Sequence, residues 1–555
     1  MTNARIVFGA LLLSALALPR AHACTNLLIT PGASKDGAMV SYAADSHTRY
    51  GCLFFFPACD YPAGTLLNVY EWGPHKYLGQ IPQVGHTYSV IGNMNEHQVV
   101  MGESTWGGRP QQRDPNGQLD YGSLMYIALQ RARTAREAIA IFTTLANEYG
   151  YASGGESISV ADPNEVWFMD VIGKAPKMEN GVNVNKGIVW VAIRIPDGCI
   201  SAHANQARIT QFPLNDPEGC LYAPDVISHA REQGYFTGKD ADFSFADAYG
   251  PADGGTVRGC DARVWAFFRK HGAEDMEPYL PYALGHDMSK RLPLYVKARK
   301  PLGVKDVADM MRDHYEGTPM DMTLDIGAGG HALPYRWRPM SFEVDGKTYV
   351  NERAIATQQT GFWFIGQCRK QWPNTIGGIF WFAVDDAGTS PLTPIYTSSL
   401  AISKHYALGQ NASMVQYSPE SMFWLCNRIA QFAYLRYDQI GAEVRSVIDK
   451  HENERLAEIS QVVDKAAFAL YQEDPQAARE YLTSYSLNTA EHLFRQWQEL
   501  DIYLLVKYID GNTKRQNEDG SFATNAYSDS IPLSPVSAGY NKHWQEVVAK
   551  ELLNQ

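Results

Sequence analysis

Apolar positions along this chain follow two rhythms, and the change between them falls near residue 417. Before it, short strand-like runs alternate with helical blocks. Thr25 to Thr30 reads as a strand, Pro31 to Gly37 as a turn, and Ala38 to Ala44 as its antiparallel return. A second hairpin runs through Ser157 to Val160, turns at Asp162-Pro163-Asn164 and comes back along Val166 to Val171. Ile188 to Ile195 and Ile376 to Val384 are apolar runs of buried-strand length. Between them, Thr134-Ala-Arg-Glu137 has the form of a capping box and opens a helix with Ala138, Ile141, Phe142 and Leu145 on one face. Strand pairs interleaved with helices predict an α+β sandwich, stacked sheets with helices packed outside. After residue 417 the period is helical. Leu425, Ile429, Phe432 and Ala433 share one stripe, Leu456, Ile459, Val463, Ala466 and Leu470 a second, and Leu493, Trp497, Leu500 and Leu504 a third. The polar stretch from Asp510 to Ser521 reads as a surface loop. Residues 24–416 are thus expected to form the sandwich and 417–555 a helical extension and tail packed on it.

The first 23 residues stand apart. Arg5 precedes an apolar stretch from Ile6 to Leu18, Pro19 and Arg20 interrupt it, and Ala21-His22-Ala23 follows. That is the layout of a secretory signal with an Ala-x-Ala cleavage site, and its apolar stretch is too short to span a bilayer. No second long apolar run follows, so no membrane association is expected once residues 1–23 are removed, and the mature chain is expected in the periplasm or outside the cell. The chain carries a formal charge of −12, and the removed segment contains Arg5 and Arg20 but no acid. An acidic chain without a basic cluster excludes nucleic acid as a natural partner. Eight cysteines in 555 residues do not make a disulfide scaffold. Cys52 with Cys59, and Cys199 with Cys220, are near enough in sequence to bridge in an oxidising compartment. No Cys/His group has zinc spacing. His314 and Glu316, two residues apart, do not meet on a helix, which predicts a structural or pocket role rather than a metal pair. Trp363, Trp372, Trp381 and Trp424 are expected in the core.

Cys24 is where the chemistry concentrates. Cleavage after Ala23 makes it residue one, with a thiol on its side chain and a free α-amine on its backbone. A thiol is nucleophilic as thiolate and has a free pKa of about 8.5. An α-amine titrates near ~7.7–8.0, close enough to working pH to move a proton. One residue then supplies both nucleophile and base.

The motifs around and beyond Cys24 resemble a known family. Cys24-Thr25 opening a strand, a turn, and a return strand ending in Asp45 are similar to the start of the dipeptidase A-type cysteine dipeptidases. These are N-terminal-nucleophile hydrolases, with the secernins and the penicillin V acylase/bile salt hydrolase group as relatives. Gly92-Asn-Met-Asn-Glu96, Ala204-Asn-Gln-Ala-Arg-Ile209, Arg263-Val-Trp265, His314-Tyr-Glu-Gly-Thr318, Tyr335-Arg-Trp337, Gln367-Cys-Arg369 and Ile376-Gly-Gly-Ile-Phe-Trp381 follow in the family's order, as does the tail from Gly539 to Trp544. The resemblance implies an αββα sandwich and hydrolysis of dipeptides or short peptides by acyl transfer. It needs no metal or organic cofactor and is compatible with a homo-oligomer.

Position by position, the resemblance makes Cys24 the nucleophile. Asp45 becomes the acid that orients the amine, Asn205 a donor to the oxyanion and Arg263 a fixed positive charge favouring thiolate. The backbone at Asn95 or Glu103 is the expected second oxyanion donor. Taken singly, Asp45 reads as a turn cap, Asn205 as a turn residue and Arg263 as half of an ion pair; the assembly is what assigns them chemistry. One position departs from the pattern. Where relatives carry Arg three residues before the aspartate, this chain has Tyr42, leaving Arg263, Arg49 or His47 to take over. An acylase with an apolar pocket, or a lipid-anchored binding protein without activity, are the competing readings.

Overall fold

The computed structural model describes residues 24–407 and 412–553. The signal and cleavage motif lie outside the described residues. Two antiparallel sheets form the frame. The first has seven strands in the order Tyr295–Lys297, Cys199–His203, Thr25–Ile29, Ala38–Asp45, Thr360–Cys368, Gly378–Val384 and Thr393–Tyr396. The second has eight, in the order Cys220–Tyr222, Ile188–Arg194, Val166–Gly173, Gly155–Ala161, Val100–Gly107, Met94–Asn95, Val90–Ile91 and Phe55–Phe56. The N-terminal hairpin occupies the middle of the first sheet, with Thr25 opposite Ala43 and Asn26 opposite both Tyr42 and His203. Cys24 therefore opens a central strand.

The two-residue period of these strands sorts side chains into layers. Leu28, Val40, Tyr42, Ala44, Phe364 and Phe380 of the first sheet pack with Val100, Phe168 and Val191 of the second. Leu27, Ile29, Met39, Trp363 and Ile365 face the opposite way, onto helices Asp261–His271 and Val304–Met311. The second sheet turns Met101, Ile158, Trp167 and Met169 outward against helices Tyr121–Leu129 and Ala135–Tyr149. Helix, sheet, sheet and helix lie in that order, in keeping with the α+β expectation. Both anticipated hairpins form. Thr134 caps its helix by accepting from Glu137 N, while the Glu137 carboxylate returns to Arg133 N, one residue short of a closed box. The run from Ile376 begins as a helical turn, Asn374–Gly377, and becomes a strand only at Gly378.

Helices Met422–Ala433, Ala442–Glu458, Asp464–Glu473 and Pro475–Tyr508 follow. Their Ile429, Leu493, Trp497 and Leu504 join the core that Phe382 and Tyr406 enter from the first sheet's side. The second stripe departs from expectation. A π-turn at Ile459–Val463 adds a residue to the helical repeat, so Ala467 takes the buried place expected of Ala466. All eight cysteines are free. Neither sequence-local pair is bridged: Cys52 is buried and Cys59 exposed, while Cys199 and Cys220 lie on strands of different sheets. Trp363 and Trp381 are core residues, but Trp372 and Trp424 are only half-buried.

Candidate active site

Every polar atom of Cys24 has a partner. Its backbone N–H donates to Asn205 Oδ1 at 2.9 Å, and its carbonyl accepts from Arg263 Nη1 at 2.8 Å. Its Sγ lies 3.4 Å from Glu103 Oε1 and 3.7 Å from the Tyr42 hydroxyl. The residue is buried. Burial first, and then the Glu103 and Asp45 carboxylates, push the thiol well above its ordinary pKa; a backbone hydrogen bond from Asp45 and the Tyr42 hydroxyl oppose them.

Asn205 reaches Cys24 from the turn after strand Cys199–His203, in a left-handed conformation with φ of 59°. Asn tolerates that region better than most residues with a Cβ. Its Nδ2 donates to Thr105 O at 2.7 Å, and its own N–H donates to Ser104 Oγ at 3.2 Å. Ser104 is held by His203, whose other ring nitrogen meets Ser159 Oγ, both at 2.6 Å. Burial and the Arg208 and Arg263 charges hold His203 well below the usual imidazole range, so it stays neutral between two hydroxyls. In Asn205 the oxygen faces the Cys24 nitrogen while Nδ2 contacts Thr105, so this side chain holds that backbone nitrogen in place.

Arg263 comes from helix Asp261–His271. Its guanidinium donates to Cys24 O, Thr25 Oγ1, Ala204 O and Asn205 Oδ1 at 2.8–3.1 Å. It grips the carbonyl of Cys24 and the amide of Asn205, not the sulfur. Asp261, two residues earlier, aligns helix and turn: it pairs with Arg208 Nε at 3.1 Å and accepts from Gln206 Nε2 at 3.1 Å. Asp170 fixes the same turn by accepting from Arg208 N and Ile209 N. The Ala204–Ile209 motif is thus one assembly that delivers Asn205 to Cys24.

Asp45 ends the second strand beneath the site, but its carboxylate is taken by Arg353 and by Thr360 Oγ1, the latter at 2.6 Å. Burial raises its pKa against the pull of Arg353. Its influence on Cys24 is through charge and its backbone. The sequence offered no sign of Arg353, which arrives from an irregular segment 308 residues away. Asn95 lies outside the site: its side chain donates to Leu129 O and Ala132 O and its N–H to Val99 O. Of the substitutes considered for the arginine missing at Tyr42, His47 is exposed, and Arg49 stacks on Trp72 at 4.7 Å, acting on Glu103 through charge.

Tyr42 instead belongs to an acidic cluster that sequence reasoning missed. Its hydroxyl donates to Glu103 Oε1 at 2.6 Å. Gly102 lets strand Val100–Gly107 close on the first sheet, because a Cβ there would strike Asn26 Oδ1. Asn26 Nδ2 in turn donates to Glu103 O. Glu103 hydrogen-bonds Glu156 on the neighbouring strand, whose Oε1 accepts from Thr105 Oγ1 at 2.9 Å. Burial raises both carboxyls; for Glu156 the Glu103 charge adds to it, lifting it well above the usual range. Glu156 lines a cleft of about 420 Å³ together with Thr105, Arg109, Arg113, Asp120 and Tyr121. A neighbouring cleft of about 350 Å³, lined by Asn205, shares Gly108, Arg109 and Pro110 with it.

His314 is buried and meets Glu316 at 3.2 Å, packed against Tyr335. Among the described residues no His/Cys/Asp/Glu group is arranged to hold a metal ion, and no helix is long and apolar enough to cross a membrane.

Comparison with known proteins bears out the family resemblance. The sequence model of Peptidase family C69 matches residues 47–450, and the chain belongs to that family. It is 25% identical over 536 residues to the probable dipeptidase B of Streptococcus pyogenes serotype M1, covering 93% of this chain and 100% of that one. A probable dipeptidase of Latilactobacillus sakei is 24% identical over 475 residues, 81% of this chain and 89% of its own. One of Salmonella dublin is 21% identical over 471 residues, 78% of this chain and 96% of its own.

Proposed function

We propose, for this member of Peptidase family C69, hydrolysis of dipeptides and short peptides by Cys24 acting as an N-terminal nucleophile. The observation that carries the reading is that one residue's nitrogen, carbonyl and sulfur are separately held, by Asn205, Arg263 and the Tyr42–Glu103 pair. Buried backbone groups are paired in any strand, but here the partners are the side chains of Asn205 and Arg263 rather than neighbouring backbone, and the thiol faces an acid. The layered sheets, with Cys24 opening a central strand, support an N-terminal-nucleophile hydrolase fold.

In this reading removal of residues 1–23 turns the Cys24 N–H into an α-amine that stays against Asn205 Oδ1. The amine takes the thiol proton, and the thiolate attacks the peptide carbonyl. The tetrahedral oxyanion forms beside Asn205, whose amide plane is fixed by Thr105 and Arg263. Collapse breaks the C–N bond, the α-ammonium gives its proton to the leaving amine, and a thioester remains. Water, deprotonated by the same amine, resolves it and restores the thiol. The buried charge of Asp45 favours the ammonium form between these steps. Export to the periplasm or the medium belongs to the same proposal.

The test is intact mass and N-terminal sequencing of the exported protein, with dipeptides assayed beside phenoxyacetyl and cholyl amides. A chain beginning at Cys24 with a free amine and preferring dipeptides supports the reading. A different first residue, an acylated Cys24, or a preference for the amides overturns it.

A further inference from the structure

We propose that Glu156, with Glu103 behind it, receives the α-ammonium of the substrate's first residue, so that the site selects peptides with a free N-terminus. The proposal deepens the peptidase reading above and rests on it.

Elementary geometry says where such a receptor has to be. In a dipeptide the free nitrogen is two bonds from the carbonyl carbon under attack, about 2.5 Å away. Reacting atoms approach to about 3–3.5 Å before bond formation. The ammonium therefore comes within about 6 Å of the attacking sulfur. A group that reads it must sit beside Cys24 Sγ, and Glu103 Oε1 is 3.4 Å from that atom. Glu156 extends this carboxylate into the cleft.

The pair is also unfinished. Glu103 Oε2 and Glu156 Oε2 are both buried and no other residue donates to either, so the two carboxyls have only each other there, while each residue's Oε1 is engaged. Among the described residues no lysine or arginine forms an ion pair with either carboxylate. Two adjacent buried carboxyls cannot both ionise without a positive partner, so one proton is shared between them. Burial raises both of their pKa values, in agreement with a shared proton. An ammonium group supplies donors from outside the pair and the positive charge it lacks. On binding it replaces the shared proton, which leaves to solvent, and both acids become carboxylates.

The arrangement discriminates by what it leaves unpaired. A peptide whose first nitrogen is absent or acylated brings no charge to the pair, and a site built for a polar group rejects an analogue lacking it far more strongly than an apolar pocket rejects a methylene. Arg109 and Arg113 line the same cleft. A short peptide with opposite charges at its two ends finds both signs there.

The experiment compares alanyl-alanine with propionyl-alanine, which lacks only the amino group, on the wild-type enzyme and on Glu156→Gln. The wild type is expected to favour the free dipeptide in kcat/KM by about a hundredfold or more. Glu156→Gln is expected to narrow that ratio about tenfold or more, by losing turnover of the free dipeptide alone. Equal wild-type turnover of the two compounds overturns the proposal without requiring any variant to fold. So does a Glu156→Gln loss that is the same for both. If the wild type cleaves neither compound nor any other peptide, the peptidase reading falls and takes this proposal with it; equal cleavage of both removes this proposal alone.

Discussion

Tyr42→Phe isolates one hydrogen atom at the centre of the site. The ring stays packed against Phe362 and Phe364, whose centroids lie 5.8 and 5.5 Å away, so the interior keeps its shape. What is lost is the donor to Glu103 Oε1 at 2.6 Å. A hydrogen bond to a charged group contributes about 1.5–3 kcal/mol. At about 1.4 kcal/mol per pKa unit, its loss raises the Glu103 pKa by about one to two units. The sign follows from which form Tyr42 favours: its O–H stabilises the carboxylate, so without it the proton is held more tightly. Glu156, Cys24, Tyr121 and the more distant Arg49 also face Glu103, and none of them changes. The acid limb of kcat/KM against pH for alanyl-alanine should move up by that amount. Tyr42 also steadies the thiolate, but that effect falls equally on propionyl-alanine. The difference between the two substrates' limbs therefore reports Glu103. A limb that stays in place, moves to lower pH, or moves equally for both substrates refutes the reasoning.

Three further predictions use other parts of the structure. Cys24→Ala should abolish peptide turnover while leaving the thermal midpoint within a few degrees of wild type; residual peptidase activity counts against Cys24. Arg263→Lys replaces a guanidinium that meets Cys24 O, Thr25 Oγ1, Ala204 O and Asn205 Oδ1 together, which an ammonium cannot span. It should lower kcat about 10²-fold, the loss that misplacing the reacting groups by about 1 Å can bring, and an unchanged kcat would dismiss the clamp. Asp385 is pushed up to about 8 by burial and by Asp386. Its native carboxyl keeps a proton that the unfolded chain releases near ~3.9. The native state then binds more protons, and stability falls between about pH 4 and about pH 8 by about 1.4 kcal/mol per unit. Asp385→Asn, which keeps an oxygen for Asn427 Nδ2, should remove that part of the slope in urea titrations at pH 5 and pH 8; parallel slopes would contradict it.

The hairpin behind Cys24 was legible because its pattern is local: alternating apolar residues around a turn fix strands and register together. Asn205 and Arg263 were legible only through their motifs, since nothing in the spacing of Ala204–Ile209 and Arg263 reveals that Asp261 aligns helix and turn. Arg353 left no trace because its partnership with Asp45 is made by chain topology. Sequence reasoning singles out Glu103 only for its backbone and Glu156 not at all; only the pairing of Thr105 with Glu156 across the ladder puts the two carboxyls on one face. The departure at Tyr42 was visible, yet its meaning was not, because a phenol that holds a carboxylate is chemically unlike the arginine it replaces. The π-turn at Ile459–Val463 shows the same limit at the level of a helix, where one extra residue moved the buried face from Ala466 to Ala467.

The electrostatics give a physical reason for trimming to act as a switch in the proposed mechanism. With the chain uncut, burial and two carboxylates hold the Cys24 sulfur as a thiol, and the peptide nitrogen beside it is no base. Glu103 accepts the thiol hydrogen but shares a proton with Glu156, and its charge disfavours a thiolate next to it. Arg263 is turned to the Cys24 carbonyl rather than the sulfur. Cleavage supplies the missing group in place: an amine already aligned by Asn205 Oδ1, whose positive form offsets the carboxylates. The substrate's ammonium then takes the place of the shared proton at the Glu103–Glu156 pair, so the net charge beside the sulfur stays as it was. The mature N-terminus alone therefore brings the sulfur toward thiolate, while the acids that silence the uncut chain select the peptide once it is cut.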